Sequence, residues 1–237
     1  MSLDLRRAGG RPLVIGHRGA KAVAPENTIA SFEAAIAAGV DLVEFDVGPG
    51  LLVAHDAGVA GAPTLDDVLD LLARAGVGAH VDLKEPGYER EAVEAIRRHG
   101  LAERALVSTA FAQAARRVRG LAPGLPVAIG YPRDRYGVSR FTWPGPLTRA
   151  GAAALRQAMP VRVPLLLRLS HANVLALHQT LCSPRAVAAA HRLGAPVLAW
   201  TANDAATMLR LVGAGVDALV SDDPQVVTST LATLPSR

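Results

Sequence analysis

A repeated order of segments constrains the fold of this chain most strongly: an amphipathic Ala/Leu-rich stretch, a glycine, and a short β-branched run. The clearest copies are AAIAAGVDLVEFDV (34–47), LLARAGVGAHVDLK (71–84), AHRLGAPVLAWT (190–201) and LRLVGAGVDALVSD (209–222). In each copy the glycine follows a predicted helix, at a position that needs positive φ, and the apolar run after it predicts a buried strand. Because helix and strand alternate in a constant order, the strands are predicted to be parallel.

Runs of this kind predict eight strands. They lie near 12–17, 42–47, 79–84, 104–109, 126–131, 172–178, 196–201 and 216–221. Eight strands with intervening helices predict an α/β fold of the (β/α)8 barrel type. The length of 237 residues suits one barrel as a single domain over 1–237, with its core at about 12–234. A doubly wound sheet is the alternative, but no Gly-rich phosphate fingerprint follows any of the strands.

Two segments rich in Pro and Gly interrupt the repeat, at 48–63 and 132–164. They follow the second and fifth predicted strands. We therefore expect both to be loop insertions above the C-terminal face of the barrel, where barrel enzymes place their substrate loops.

Composition narrows the expected compartment and partners. The first twelve residues lack an apolar signal-peptide core, and no stretch supplies 18 uninterrupted apolar residues, so we expect a cytoplasmic protein without a membrane anchor. The single cysteine, Cys182, excludes an internal disulfide and is expected to be buried. The net charge of +4 comes from scattered basic residues, and only 4% of the chain is aromatic, which favours a small anionic partner over nucleic acid.

Polar side chains at the ends of the predicted strands indicate a site, because catalytic groups of barrel enzymes cluster there. The candidates are His17 and Arg18 after strand one, Glu44 and Asp46 on strand two, Asp82 and Lys84 on strand three, Trp200 on strand seven and Asp222 after strand eight. These positions belong to different strands, so the prediction depends on the strands meeting at one face of the barrel.

Glu44 and Asp46 are two residues apart on one strand, so their side chains point to the same side, and Asp82 lies on the next strand. Three carboxylates brought together repel one another, which predicts one hard divalent cation, Mg²⁺ or Ca²⁺, between them. Two alternatives remain open. Glu44 or Asp82 forms a structural ion pair with Arg18 or Lys84, or Asp46 caps the next turn.

His17 and His55 are candidates for a general acid and base acting on a phosphodiester, because histidine changes its charge near neutral pH. Arg18 and Lys84 are candidates for stabilising negative charge on the phosphoryl oxygens. Arg18 has the alternative role of a structural ion-pair bridge across the barrel mouth.

The remaining aromatic and imidazole side chains give weaker predictions. Trp200 either stacks on the organic part of a substrate or fills the top of the barrel. His178, at the end of strand six, is a further candidate for substrate contact. The other histidines have no chemical partners nearby in sequence and are expected to be surface or core residues: His80, His99, His171 and His191.

The segment HRGAKAVAPENTIASFEAAIAAGVDLVEFDV (17–47), followed by His55-Asp56, resembles the bacterial glycerophosphodiester phosphodiesterases of the phospholipase C-like phosphodiesterase superfamily. Farther along the chain VDLK (81–84), VLAWTAN (197–203) and GVDALVSDDP (215–224) resemble the third, seventh and eighth strand motifs of that family. The resemblance implies a TIM barrel that hydrolyses glycerophosphodiesters to sn-glycerol 3-phosphate and an alcohol, with a divalent metal.

Carried over residue by residue, the resemblance implies that His17 and His55 act as general acid and base. It also implies that Glu44, Asp46 and Asp82 bind the metal and that Arg18 and Lys84 contact phosphate. In the element PENT (25–28), Asn27 is expected to cap a helix, and Glu26 is expected to have a conformational role.

The sequence departs from the family pattern at two places. The hairpin between Asp46 and His55 is shortened to a turn at Gly48-Pro49-Gly50, and Asp82 stands where the family more often has Glu. His55 keeps its orientation if the two arms of the hairpin lose equal numbers of residues. The shorter Asp82 side chain implies either a water between carboxylate and metal or a changed metal preference.

Two other functions are compatible with parts of the sequence. A phospholipase D-like enzyme acting on intact lipids would need an apolar rim, for which Tyr131, Tyr136, Phe141 and Trp143 are the candidates. A barrel that only binds phosphorylated headgroups would not need an acid and base pair. The presence of both histidines and all three acids therefore favours catalysis.

Overall fold

The computed structural model of the chain describes residues 3–6, 10–56, 58–133 and 146–233. Eight parallel strands close a barrel in sequence order, with the last strand paired to the first. They are β1 Leu13–Gly16, β2 Leu42–Val47, β3 Gly78–Leu83, β4 Ala105–Thr109, β5 Val127–Tyr131, β6 Val174–His178, β7 Val197–Trp200 and β8 Ala218–Ser221. The predicted (β/α)8 barrel is confirmed, and the open doubly wound sheet is excluded.

A helix follows each strand in the chain. The helices are α1 Ile29–Ala37, α2 Leu65–Ala75, α3 Glu89–Arg98, α4 Ala112–Leu121, α5 Pro146–Ser170, α6 Pro184–His191, α7 Ala205–Ala214 and α8 Pro224–Ala232. The glycines of the four sequence repeats, at 39, 76, 194 and 215, all have positive φ, as predicted. Among the described helices, none is both long and apolar enough to cross a membrane.

The strand residues divide between two apolar layers. On β2, Val43 and Phe45 face the helices, whereas Leu42 points into the barrel and packs with Leu106 and Leu198 from other strands. Leu5, from the segment before β1, is buried in the same interior cluster. The interior is therefore closed by apolar side chains near the N-terminal ends of the strands, which leaves the opposite end for polar groups.

The segment 132–164 is only partly the loop insertion that the sequence predicts. Helix α5 begins at Pro146 and continues to Ser170, although it contains Pro160 and Pro164. Met159 and Val163 are fully buried and Leu167 is nearly so, a four-residue spacing that fixes one face of the helix on the barrel. Prolines that suggest a loop in the sequence are thus accommodated, because packing against the barrel stabilises the helix.

The segment 48–63 is a compact excursion after β2, in agreement with the predicted loop. A single 3-10 turn, Pro49–Leu51, reverses the chain. The backbone N–H of Gly48 donates to the carbonyl of Leu52 at 2.9 Å, and Val53 pairs with Val47 through an isolated antiparallel bridge. The chain therefore returns toward the end of β2 within a few residues.

Gly19 lies in the turn after β1, where the backbone passes against helix α1. Its φ is +85°, and a Cβ atom there would lie 2.3 Å from Ser31 Oγ and 2.6 Å from the Ser31 backbone. Neighbouring contacts fix the turn further, since the N–H of Ala20 donates to the Ser31 carbonyl at 2.9 Å. The turn therefore needs glycine both for its backbone conformation and for space.

Replacing Gly19 by alanine is expected to lower the free energy of unfolding far more than the same change at Gly39. Gly39 has φ +75°, but a Cβ atom there would meet nothing within 4 Å, so Gly39→Ala carries only the conformational penalty of about 1–2 kcal/mol. Gly19→Ala adds an overpacking penalty of about 1–3 kcal/mol. Denaturant titrations of both variants measure the difference, and equal losses would contradict the close packing against Ser31.

Candidate active site

The strand register brings the predicted site residues to one end of the barrel. Asp46 on β2 pairs in register with Asp82 on β3, and Asp82 pairs with Ser108 on β4. One pleat earlier, Glu44 pairs with His80. Side chains two residues apart share a face, so these groups form two successive layers inside the barrel mouth.

A cavity of about 800 Å³ opens above these layers. Its walls include eight of the ten candidate residues named from the sequence, all but His178 and Asp222: His17, Arg18, Glu44, Asp46, His55, Asp82, Lys84 and Trp200. Lys21, His80, Ser108, Phe111 and Arg133 line it as well. The predicted residues are thus brought together although they come from four strands and a loop.

The three acids form a compact group. One carboxylate oxygen from each of Glu44, Asp46 and Asp82 lies within 4.8 Å of the others. Glu44 is 5% exposed and Asp46 is 1% exposed, so water screens their charges poorly. Carboxylate oxygens alone are the ligand set that suits a hard divalent cation such as Mg²⁺ or Ca²⁺, and the group therefore fits the predicted metal site.

Two basic side chains already contact this group. Lys84 Nζ lies 2.6 Å from Asp46 Oδ1 and 2.9 Å from Asp82 Oδ2. Arg18 Nε lies 3.0 Å from Asp46 Oδ2, which is ion-pair distance, although its N–H direction does not make a hydrogen bond. The structural ion pair considered as an alternative therefore exists for Asp82, with Lys84, and Asp46 is also ion-paired, with both basic side chains. These ion pairs set two positive side chains against three carboxyl groups, so the group can still accept a further cation.

The acids differ in their proton affinity. Burial raises the pKa of Glu44 well above its usual value, and the charges of Asp46 and Asp82 add to this increase. Burial acts in the same direction on Asp46, but the charges of Lys84 and Arg18 outweigh it and lower the pKa of Asp46 to about 2. Burial alone would lower the pKa of Lys84, yet the neighbouring carboxylates raise it, so its ammonium group stays charged.

Residues of the loop between β1 and α1 form hydrogen bonds with two of the acids. The backbone N–H of Arg18 donates to Glu44 Oε2 at 2.8 Å. Asn27 donates its side-chain N–H to Asp46 Oδ2 at 3.0 Å and accepts the Asp46 backbone N–H at 3.1 Å. Both loop residues have positive φ, 51° for Arg18 and 59° for Asn27, a strained conformation that these contacts stabilise.

The expectation that Asn27 caps a helix is wrong. Thr28 is the N-cap of α1, with extended backbone angles and a side-chain oxygen that accepts the N–H of Ser31. Asn27 lies one residue too early, and its left-handed backbone turns its amide toward Asp46 instead. Glu26 accepts a hydrogen bond from Arg18 Nη1 at 2.8 Å, which agrees with the conformational role expected for it.

His17 is oriented by Asp222, a residue at a strand end to which the sequence assigned no role. His17 Nδ1 lies 2.6 Å from Asp222 Oδ1, and His17 Nε2 lies 4.0 Å from Glu44 Oε2. Asn203 donates to the other Asp222 oxygen at 2.7 Å. Because the Asp222 carboxylate accepts a hydrogen bond from Nδ1–H, the proton of the neutral ring is on Nδ1, and Nε2 keeps its lone pair on the side of Glu44.

Burial lowers the pKa of His17, although the hydrogen bond to Asp222 opposes this shift. The imidazole is therefore neutral near pH 7. For Asp222, burial acts to raise the pKa, but the hydrogen bond from His17 and the charges of His17 and Lys21 lower it overall. A neutral imidazole fixed by a charged carboxylate is an arrangement that can accept a proton.

His55 reaches the cavity wall from the shortened excursion after β2. Its side chain is 29% exposed, and its Nδ1 lies 3.0 Å from Asp56 Oδ1. The shortened turn thus keeps His55 at the cavity, on the same side as the acids.

Trp200 and His178 form an aromatic pair at the ends of β7 and β6. Their rings meet edge to face at 84° with centroids 5.0 Å apart. Trp200 lines the cavity and also packs on the interior apolar cluster, whereas His178 is not among the described residues of the cavity wall. His178 Nδ1 instead lies 2.8 Å from Thr180 Oγ1. The possible lipid-facing residues Tyr136, Phe141 and Trp143 lie outside the described residues.

His80 is not the isolated surface or core histidine that the sequence suggests. It is 4% exposed, and its Nε2 lies 2.8 Å from Ser108 Oγ, which donates to Asp82 Oδ1 at 2.6 Å. Burial lowers the pKa of His80 to about 4. Its position two residues before Asp82 on one strand was the available signal, since both side chains must then enter the barrel.

Comparison with known proteins identifies the family. A family model described as the Glycerophosphoryl diester phosphodiesterase family matches residues 17–49 and 62–226. The match includes every predicted site residue except His55, which lies in the unmatched stretch between the two ranges.

Individual relatives agree with this match. A glycerophosphodiester phosphodiesterase of Caldanaerobacter subterraneus subsp. tengcongensis is 26% identical, with 92% of this chain and 96% of the relative covered. An Oleispira antarctica phosphodiesterase, solved with the product sn-glycerol-3-phosphate, has a similar fold: TM-score 0.72, 24% identity, and coverage of 94% and 97%. A glycerophosphodiester phosphodiesterase structure from Parabacteroides distasonis gives TM-score 0.72, 21% identity, and coverage of 93% and 97%. This chain therefore belongs to the glycerophosphoryl diester phosphodiesterase family, a family of phosphoric diester hydrolases.

Proposed function

We propose that this protein hydrolyses glycerophosphodiesters to sn-glycerol 3-phosphate and an alcohol, with one divalent cation. The observation that carries the proposal is the group of Glu44, Asp46 and Asp82, which lies beside an oriented histidine in a cavity that can hold a small phosphodiester. Family membership supports the reaction type, and the product-bound relative from Oleispira antarctica supports the substrate class.

Glu44, Asp46 and Asp82 would hold the cation. When bound, a divalent cation polarises a phosphoryl oxygen and stabilises the negative charge of the transition state. Each of the carboxylate oxygens has two lone pairs, so the hydrogen bonds that Asp46 accepts from Asn27 and Lys84 leave it able to act as a ligand.

His17 is the proposed general base. Its Nε2 accepts a proton from the attacking oxygen, which belongs either to a water molecule or to the neighbouring hydroxyl of the substrate. The protonated ring gains stability from Asp222 at 2.6 Å from Nδ1 and from Glu44 at 4.0 Å from Nε2. Its lowered pKa favours the neutral ring that a base must have before the reaction.

His55 is the proposed general acid, which donates a proton to the oxygen of the leaving alcohol. Its greater exposure, 29% of the side chain, suits a group that must exchange protons with solvent between turnovers. Its Nδ1 lies 3.0 Å from Asp56 Oδ1, so Nε2 is the ring nitrogen proposed to donate the proton.

Arg18 and Lys84 are the proposed phosphate contacts. An ammonium group has three donors, and Asp46 and Asp82 take two of those of Lys84, so one remains for a phosphoryl oxygen. Both side chains line the cavity. Trp200 would supply an apolar wall for the carbon atoms of the substrate.

Release of glycerol 3-phosphate from a panel of glycerophosphodiesters tests the reaction. We expect turnover with Mg²⁺, Ca²⁺ or Mn²⁺ and loss of turnover in EDTA, because the carboxylates lose the cation that offsets their charge. The headgroup cleaved fastest would identify the preferred alcohol. Turnover that persists undiminished in EDTA would contradict the metal requirement.

Replacing His17 by alanine is expected to lower kcat by about 10²–10⁴-fold, the usual contribution of a positioned base. His99→Ala is the matched control, because His99 interacts with Asp66 on the helical surface of the barrel. The control should keep wild-type kcat. A barrel that only binds headgroups would show no turnover in any of the three proteins but unchanged affinity in H17A.

Replacing Asp222 by asparagine is expected to lower kcat by orders of magnitude with a smaller effect on KM, because the amide no longer fixes the proton on Nδ1. Asp223→Asn is the matched control. Asp223 is the N-cap of α8, and asparagine caps helices as well as aspartate does. Steady-state kinetics distinguish the two variants, and equal activity would refute the orienting role of Asp222.

A further inference from the structure

Asp82 is held on both sides by polar partners. Ser108 Oγ, on the neighbouring strand β4, lies 2.6 Å from Asp82 Oδ1, and Lys84 Nζ lies 2.9 Å from Asp82 Oδ2. Behind Ser108, His80 Nε2 lies 2.8 Å from the hydroxyl oxygen. His80, Ser108 and Asp82 therefore form a continuous chain of two hydrogen bonds inside the barrel.

The direction of the protons in this chain follows from the donors available. An ionised Asp82 can only accept, so the single proton of Ser108 points to Asp82 Oδ1. The serine oxygen then accepts from His80, and the proton of the neutral imidazole must be on Nε2. In the other tautomer, Nε2 and Asp82 would compete for one serine proton, and a buried Nδ1–H would have no acceptor among the described residues.

Apolar packing alone does not explain why a histidine occupies position 80. Its register partner on β4 is Leu106, a member of the interior apolar cluster, and its register partner on β2 is Glu44. His80 Nδ1 is buried without a hydrogen-bond partner in the part of the chain that the structure describes. A buried polar group left half satisfied is unfavourable, and the other ring nitrogen of His80 contacts the serine that holds Asp82.

We propose that His80 and Ser108 are positioning residues, which fix the carboxylate of Asp82 in the orientation that binds the divalent cation. The inference rests on the proposed metal site. His80 fixes the hydroxyl of Ser108, and the hydroxyl fixes Asp82, so His80 acts only through Ser108. Both side chains line the cavity, and the role proposed for them acts through Asp82. Partners of this kind are worth about 10–100-fold in metal affinity.

Titration calorimetry of the EDTA-treated full chain with Mn²⁺ tests the proposal without any substrate. We expect Ser108→Ala to weaken Mn²⁺ binding by about 10–100-fold. His80→Leu should weaken it less, and His80→Gln, which retains a donor for Ser108, should lie closer to wild type. In the double variant S108A/H80L the affinity should equal that of S108A, because His80 has no path to Asp82 once the hydroxyl is gone.

Ser170→Ala is the control for loss of a buried serine. Ser170 is fully buried and bonds to the carbonyl of Leu166 at the end of α5, so its replacement should lower thermal stability while leaving Mn²⁺ affinity unchanged. Thermal unfolding of every variant verifies that the barrel is intact.

The outcomes separate this inference from the function on which it rests. If the wild-type protein binds no Mn²⁺, both the proposed metal site and the positioning role of His80 and Ser108 are overturned. If the wild-type protein binds Mn²⁺, and Glu44→Gln weakens binding while Ser108→Ala does not, the metal site stands. The positioning role of His80 and Ser108 is then overturned. Additive losses in S108A/H80L would likewise show that His80 does not act through Ser108.

Discussion

The convergence of Glu44, Asp46 and Asp82 inside a barrel is the constraint on which the rest of the site depends. Two of these acids are almost without contact with solvent, and their oxygens lie within 4.8 Å of one another. Repulsion in a medium of low permittivity would oppose folding unless positive charge and hydrogen-bond donors surround the group. Lys84 and Arg18 supply part of that charge, and the oxygen ligands suit the divalent cation proposed to supply the rest.

The turn between β1 and α1 serves the same electrostatic requirement. Arg18 and Asn27 are not glycines, yet both have positive φ, and each directs a hydrogen bond to one of the acids. Gly19 between them lets the chain pass against Ser31 of α1. Backbone strain is tolerated here because the acids and the helix fix the turn from both sides. The same turn supplies His17, so the proposed base and the proposed cation ligands share one support.

The sequence predicted the barrel well, because the repeated glycines and β-branched runs depend on local backbone preferences. It also predicted eight residues of the cavity wall, because strand ends and two-residue spacing can be recognised from the sequence alone. Its errors concern longer-range effects. Helix α5 continues through Pro160 and Pro164 because Met159 and Val163 pack on the barrel. Asn27 contacts Asp46 instead of capping α1, because its left-handed backbone turns the amide inward.

The sequence by itself therefore determined the order of the strands, the side of each strand that enters the barrel, and the chemical types available at the mouth. Periodicity and glycine positions carry that information, because they act through neighbouring residues. The tertiary structure alone decided which groups meet. Asp222 reaches His17 from the end of β8 because the barrel closes, and His80 reaches Asp82 through Ser108 because β3 and β4 pair in one register. Contacts across strands depend on closure and register, which no local pattern in the chain specifies.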